Sequence, residues 1–365
     1  MDQLRDWLIL IRTPGLGPRT IARLLQHFTE PGDALNAGAH TLRQLGLSET
    51  VIDGLNHPDD TGLDRDLAWA DEPDHHIITL NDPRYPRLLS EISDPPPVLF
   101  IHGQPGVLSS LQLAMVGSRN PTSTGADTAQ AFARFLANAG LSITSGMAIG
   151  IDAACHQGAL LAGGTTIAVA GTGLDRIYPA RHRDLAQRIT EHGALVSEFP
   201  TGVKALRENF PRRNRIIAGL SLGTLIVEAT QKSGSLITAR LAVDQGREVF
   251  AIPGSIHSPL ARGCHALIRE GAKLVETAQD ILEELGPMAL AASTPQMPDQ
   301  HTETTRHTMD PDHQQLLALV GYDPTPVDML VERSGLTAAE VSSILLILEL
   351  HGLVSATPGG HYSRR

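Results

Sequence analysis

Apolar positions along the chain change their spacing three times. From residue 1 to about 60 they recur at helical intervals. Trp7, Leu8, Leu10 and Ile11 form one face, and Ile21, Leu24 and Leu25 another, so this segment is predicted to be a small helical domain. Residues 61–110 carry two short strand-like runs, His75 to Leu80 and Val98 to Gly103, separated by proline-bearing turns. They are read as a connector packing on the central domain.

From Leu111 apolar runs alternate with helical patterns. Strands are predicted at Leu113 to Gly117, Leu141 to Thr144, Thr166 to Ala170, Ala194 to Ser197, Leu225 to Ala229 and Glu248 to Ile252. Helices are predicted at Thr124 to Gly140, Ile151 to Ala162, Asp184 to His192 and Ser235 to Gln245, with a helical turn at Arg215 to Leu220. Strands that alternate with helices of this length build parallel βαβ units. The fold class is therefore α/β, an extended Rossmann-like doubly wound sheet over 111–286, closed by a short helix at Thr277 to Gly286. Residues 287–310 have no hydrophobic period and are read as a flexible linker. A compact pattern returns over 311–365: helices at Gln315 to Val320, Val327 to Ser334 and Ala338 to His351, then a hairpin from Leu353 to Tyr362. That order is a winged helix. Its last helix contains no Lys or Arg, which favours protein docking over phosphate contact.

The N-terminal turn Thr13-Pro14-Gly15-Leu16-Gly17-Pro18 resembles a helix-hairpin-helix, with a weaker copy around Leu42 to Leu55. In such turns glycine lets the backbone approach a phosphate. The 1–60 domain is accordingly a helix-hairpin-helix or SAM-like module.

Charge sharpens the picture. The chain of 365 residues has a net charge of -11, which by itself argues against a nucleic-acid partner. The distribution says otherwise: residues 110–280 hold 17 Lys+Arg against 13 Asp+Glu, so a mildly basic core sits between acidic flanks. Aromatics make up only 4% of the chain, which disfavours an aromatic-rich base-stacking platform. Cys155 and Cys264 have no metal-ligand spacing, and His75-His76 lacks a third ligand, so no metal or cofactor is expected. The N-terminus has no basic region followed by a long apolar run, and no stretch approaches the roughly 18 apolar residues of a membrane span. The expected location is the cytoplasm.

In open parallel sheets ligands bind beyond the carboxyl ends of the strands. There the sequence places Gly117-Ser118-Arg119, Ser145-Gly146, Gly171-Thr172-Gly173, Glu198-Phe199-Pro200 and Lys232-Ser233-Gly234-Ser235. The cluster Arg212, Arg213, Asn214 and Arg215 is read as a loop, with Lys204 ahead of it. A rim of backbone N–H groups and cations suits an extended polyanion. No nucleophile, base and orienter come together in the sequence, and there is no Gly-x-x-x-x-Gly-Lys-Ser/Thr loop. Asp152 with His156 four residues on, and Glu228 after Gly223-Thr224, leave one alternative, a phosphoribohydrolase-like nucleotide-processing enzyme. Glu228 is otherwise expected to pair with a nearby arginine, Arg215 in particular.

Six ordered motifs then resemble one family. They are VGSRNPTSTG from Val116, SGMAIGIDAACHQGAL from Ser145, GTGLDRIYPARHRDL from Gly171, LVSEFPTG from Leu195, FPRRNRIIAGLS from Phe210, and VEATQKSGSLITARLAVDQGREVFAIPGS from Val227. Together they resemble the DNA processing protein A (DprA/Smf) family. The resemblance implies a non-enzymatic protein that binds single-stranded DNA, protects it and helps load RecA during natural transformation. It also implies a homodimer formed through the Rossmann-like domain. It puts DNA binding on Arg119, on Arg212, Arg213, Asn214 and Arg215, and on Lys232, Ser233, Gly234 and Ser235. Two positions depart from the family's common pattern: His182 and His265 stand where asparagine is usual.

Overall fold

The computed structural model describes residues 2–292, 311–320, 325–350, 353–357 and 361–364. The chain forms two compact units, Met1–Pro295 and Gln296–Arg365.

The first unit opens with six helices: α1 (Asp2–Arg12), α2 (Pro18–His27), α3 (Pro31–Leu35), α4 (Ala39–Gln44), α5 (Glu49–Asn56) and α6 (Asp60–Ala70). Trp7, Leu8, Leu10, Ile21, Leu24 and Leu63 are buried among them. This core runs without a break into Met147, Leu174, Leu185 and Ile189 of the following domain. A polar clamp fixes the same junction. Arg12 donates to both carboxylate oxygens of buried Asp66, at 2.6 and 2.8 Å, and Asp66 accepts the backbone N–H and hydroxyl of Thr201.

There follow β1 (His75–Thr79), α7 (Arg87–Ser90), β2 (Val98–Gly103), β3 (Gln112–Val116), α8 (Ser123–Asn138), β4 (Ser142–Ser145), α9 (Ile151–Leu161) and β5 (Thr166–Val169). The unit continues with α10 (Arg183–His192), β6 (Ala194–Ser197), α11 (Asn209–Leu220), β7 (Gly223–Ile226), α12 (Ser235–Asp244), β8 (Glu248–Ala251), α13 (Arg262–Arg269), β9 (Lys273–Leu274) and α14 (Ala278–Ala292). The strands form a sheet in the order β1-β2-β6-β5-β4-β3-β7-β8-β9. From β6 to β9 neighbours are parallel, whereas β1 and β2 add antiparallel at the edge beside β6. The residues expected to be a connector thus extend the main sheet. Strands β3 to β7 are buried at every position, as strands covered on both faces must be. Sequence order reverses beside β3, whose neighbours are β4 and β7, so the crevice beyond β3 and β7 is the switch point.

Two expectations are corrected. The arginine cluster is not a loop but part of α11. Pro211 is the third residue of that helix, where its missing N–H removes no helical bond. Helix α14 continues past Gly286 to Ala292. Residues 293–310, the rest of the expected linker, lie outside the described residues.

In the second unit α15 (Pro311–Leu319), α16 (Val327–Ser334) and α17 (Ala338–Leu350) accompany a sheet ordered β10 (Thr325–Pro326), β12 (His361–Arg364), β11 (Val354–Thr357). Leu316, Leu330, Val341, Leu345, Leu348 and Val354 fill its core. This is a winged helix.

Candidate nucleic-acid interface

Beyond β3 and β7 lies a cleft of about 800 Å³. Its floor is the exit of β3. Gly117 leads into Ser118, whose N–H donates to the carbonyl of Glu228 at 2.8 Å, and Arg119 then projects as an exposed side chain. Gly150, at φ +86°, packs against this loop. A Cβ on it would lie 2.4 Å from the Ser118 carbonyl and 2.7 Å from that of Arg119, so only glycine allows this approach.

One wall is α11. Phe210, Asn214 and Ile217 recur at helical spacing and line the cleft together with Arg213. The guanidinium of Arg119 sits 5.6 Å from the centre of the Phe210 ring, within cation–π range. Tyr178 stands 5.8 Å from the same ring and is 52% exposed. Arg207, also exposed, completes this side. The opposite wall is the turn Ser233-Gly234-Ser235 at the start of α12, a helix with no acidic residue in its first turn. The helix dipole makes that end attractive to an anion.

The geometry divides the residues singled out in the sequence. Gly117, Ser118, Arg119, Arg213, Asn214, Ser233, Gly234 and Ser235 line the cleft. Lys204 and Lys232 are exposed. Ser145 is buried, and its hydroxyl donates to the Met115 carbonyl at 2.6 Å. Gly146 turns its carbonyl to Arg213, which donates to it at 2.7 Å.

The arginines of α11 differ sharply from one another. Arg213 is 4% exposed and also bonds the Val169 carbonyl, so it ties the ends of β4 and β5 to the helix. Burial pulls its pKa down to about 10, with the Asp152 charge opposing that fall. Asp152 is buried too, and burial raises its carboxyl above the ordinary range while Arg213 and backbone N–H groups hold it back. Arg215 is buried against Glu198 at 2.6 Å and has Asp94 at 3.6 Å. Arg212, half-exposed, shares the same Glu198 oxygen at 3.0 Å and lies 5.2 Å from the Phe199 ring. It lines a separate cavity of about 280 Å³ against the N-terminal helices rather than the main cleft. By contrast, Arg119, Lys204, Arg207 and Lys232 form no ion pair among the described residues. Among the described residues no carboxylate pairs with these four, although Arg119 lies near enough to Asp152 for its charge to act on that carboxyl.

Three contributors escaped sequence reasoning: Arg207, Tyr178 and Phe210. In a chain with few aromatics, two side by side at a strand-end cleft were the missed signal. The expected Glu228–Arg215 pair does not form. Glu228 accepts from Thr122, and Arg215 from α11 goes to Glu198. His156 does not meet Asp152 in an acid–base pair. It is fully buried, with Nδ1 2.7 Å from the Thr166 hydroxyl. That hydroxyl gives its own proton to the Ile143 carbonyl, so Nδ1 is the donor to it. The two unusual histidines each keep a hydrogen bond: His182 Nδ1 to the Met147 carbonyl at 3.0 Å, and His265 Nε2 to the Gly254 carbonyl at 3.0 Å.

Three family models match the chain. One described as DNA recombination-mediator protein A covers residues 76–286, a DprA winged helix domain covers 295–360, and a DprA-like N-terminal HHH domain covers 1–50. Protein Smf of Escherichia coli (strain K12) is 45% identical over 335 residues, spanning 90% of this chain and 87% of its own. The X-ray structure of DNA processing protein A from Streptococcus pneumoniae superposes with a TM-score of 0.69 at 38% identity, covering 76% of this chain and 97% of that one. A Helicobacter pylori DNA processing protein A, from work on its single-stranded DNA binding mode, gives a TM-score of 0.53 at 30% identity, covering 58% and 97%. The six motifs, the switch-point sheet and most of the two end domains fall within these matches, and the chain belongs to the DNA recombination-mediator protein A (DprA/Smf) family.

Proposed function

We propose that the cleft beyond β3 and β7 binds single-stranded DNA, and that the chain acts on it as a recombination mediator. The observation that carries this reading is a cleft lined by Arg119 and Arg207, bearing the Tyr178–Phe210 ring pair and the start of α12, with the exposed Lys204 and Lys232 next in sequence to the lining residues Ala205 and Ser233; among the described residues none of these four cations has an ion pair. Cations and helix N-terminal amides hold phosphates without reading sequence, and exposed rings stack on unpaired bases, which only a single strand offers. The single-stranded DNA binding mode studied in the Helicobacter pylori relative supports the choice of ligand.

The remaining steps are proposed from the likeness to the family. The bound strand is handed to RecA, the protein works as a homodimer formed through the Rossmann-like domain, and it does so in the cytoplasm without chemical turnover. No helix among the described residues is long and apolar enough to cross a membrane. A nucleotide-processing role would need a free acid at the strand ends. Glu228 is engaged with Thr122, and Asp152 is buried opposite Arg213, so the carboxylates nearest the cleft already have structural partners.

Competition binding tests the reading. A labelled thymidine oligonucleotide is expected to be displaced by unlabelled single strand and far less well by duplex of the same length. Equal displacement by both, or none by either, would refute it. Nucleation of RecA filaments on strand coated with single-strand-binding protein tests the handover separately.

A further inference from the structure

Glu228 is the residue that grips both ends of the Arg119 loop. Its backbone carbonyl accepts the N–H of Ser118 at 2.8 Å. Its carboxylate accepts the N–H of Thr122 at 2.9 Å and the hydroxyl of Thr122 at 2.6 Å. The same hydroxyl accepts from Gly125 N–H and caps α8. The carboxylate is seated tightly on that first turn, since a Cβ on Gly125 would come 2.4 Å from its carbon. Among the described residues no Lys or Arg pairs with Glu228. Its bonding capacity is spent on the five-residue segment from Ser118 to Thr122, at the positive end of a 16-residue helix.

We propose that Glu228 is a positioning residue for DNA binding: it fixes the Ser118–Thr122 loop so that Arg119 is held over the cleft before the strand arrives. The inference rests on the single-stranded DNA reading of the cleft. Among the described residues Arg119 has no ion pair, and its one ring contact is with Phe210. Its placement therefore depends on the backbone that carries it, which is held at one end by β3, the Glu228 carbonyl and the Ile151 N–H that donates to the Ser118 carbonyl at 3.1 Å, and at the other end by the Glu228 carboxylate. A loop held in its binding geometry spares the affinity that an unheld loop loses to its unproductive conformers. The glutamate also supplies an internal negative charge to the α8 N-terminus, where a phosphate would otherwise be favoured, so the anion-binding helix end left open to the cleft is that of α12.

The test is a fluorescence-anisotropy titration of the full chain with a labelled thymidine oligonucleotide. It compares wild type, Arg119→Ala, Glu228→Ala, Glu228→Asp, Glu228→Gln and the Arg119→Ala/Glu228→Ala double variant, with a melting curve for each. Loss of the charge-assisted bond that sets the loop is expected to weaken binding about tenfold in Glu228→Ala and in Glu228→Asp, whose shorter side chain does not reach Thr122. Glu228→Gln keeps the length and one acceptor for the Thr122 N–H, so it should recover most of the affinity. The double variant should bind within about twofold of Arg119→Ala, because the two residues act through one contact. Each alanine variant should also flatten the salt dependence by about 0.7, the slope of one phosphate on a single strand. Wild-type affinity in a folded Glu228→Asp, or losses that multiply in the double variant, would overturn the positioning role. Failure of the wild type to bind single strand would instead sink the function on which the proposal rests.

Discussion

The most informative perturbation of this site is Arg213→Met, because it separates an arginine that holds the cleft from those that face the ligand. Arg213 is 4% exposed, donates to the carbonyls of Gly146 and Val169, and faces Asp152. Methionine fills a similar length with no donor. Two carbonyls lose their partner and a buried carboxylate loses its nearest cation. Each buried carbonyl left without its donor costs about 1–3 kcal/mol, about 2–6 kcal/mol for the two. At about 2–4 °C per kcal/mol for a domain of this size, the melting temperature should fall by about 4–24 °C. The sign of the pH effect follows from Asp152. Burial already raises its pKa, and loss of the arginine raises it further. A carboxyl whose folded pKa lies above its unfolded value costs stability as pH rises, so the deficit of Arg213→Met should be larger at pH 8 than at pH 5. Adding Asp152→Asn should restore part of the loss, with a coupling of about 1–3 kcal/mol. Circular-dichroism melts of the full chain measure all three quantities. An Arg213→Met variant that melts within about 2 °C of wild type but binds single strand tenfold more weakly would refute the reasoning and make Arg213 a phosphate contact.

Other outcomes follow from the same geometry. His156 is buried with Nε2 unpartnered and its pKa is pushed down to about 3, so it stays neutral in the fold. Stability should therefore be lost as pH falls below the ordinary histidine value of 6.5, at up to about 1.4 kcal/mol per pH unit. His156→Asn, which keeps a donor for Thr166, should flatten melts taken between pH 7.5 and 5, and an unchanged slope would contradict this. Tyr178→Ala should lower single-strand affinity by about 1–3 kcal/mol, one stacked base, while leaving the salt slope and the melting temperature alone. Gly150→Ala should lower both stability and affinity, because its Cβ would collide with the carbonyls of Ser118 and Arg119; unimpaired DNA binding in a folded variant would count against a fixed Arg119 loop.

Much of the sheet was legible because most of the strands from β3 to β8 are short, largely apolar runs that alternate with helical patterns. The edge was not. Strand β1 pairs with β2, and β2 pairs with β6, nearly a hundred residues away, and no local signal reports such a partner. Helix α11 was hidden for a different reason. Phe210, Pro211 and three arginines give no apolar stripe, yet two of those arginines are buried because Glu198, Asp94 and two strand-end carbonyls wait for them. The cation-rich motif led to the proposed cleft, but which cations are spent internally depends on carboxylates far away in sequence. The same holds for Glu228, whose partner is Thr122 across the switch point and not an arginine of α11. Tyr178 and Phe210 lie 32 positions apart in the chain, and only the fold makes them neighbours.

The central claim is that four unpaired cations hold the phosphates of a single strand. Its most direct test is the dependence of binding on salt. With Arg119, Lys204, Arg207 and Lys232 each neutralising one phosphate, log Kobs for a thymidine oligonucleotide should fall against log salt with a slope of about -3. Arg119→Ala with Arg207→Ala should cut that slope to about half, while the melting temperature stays close to wild type. A slope near zero in the wild type, or one unchanged when both arginines are removed, would contradict the account.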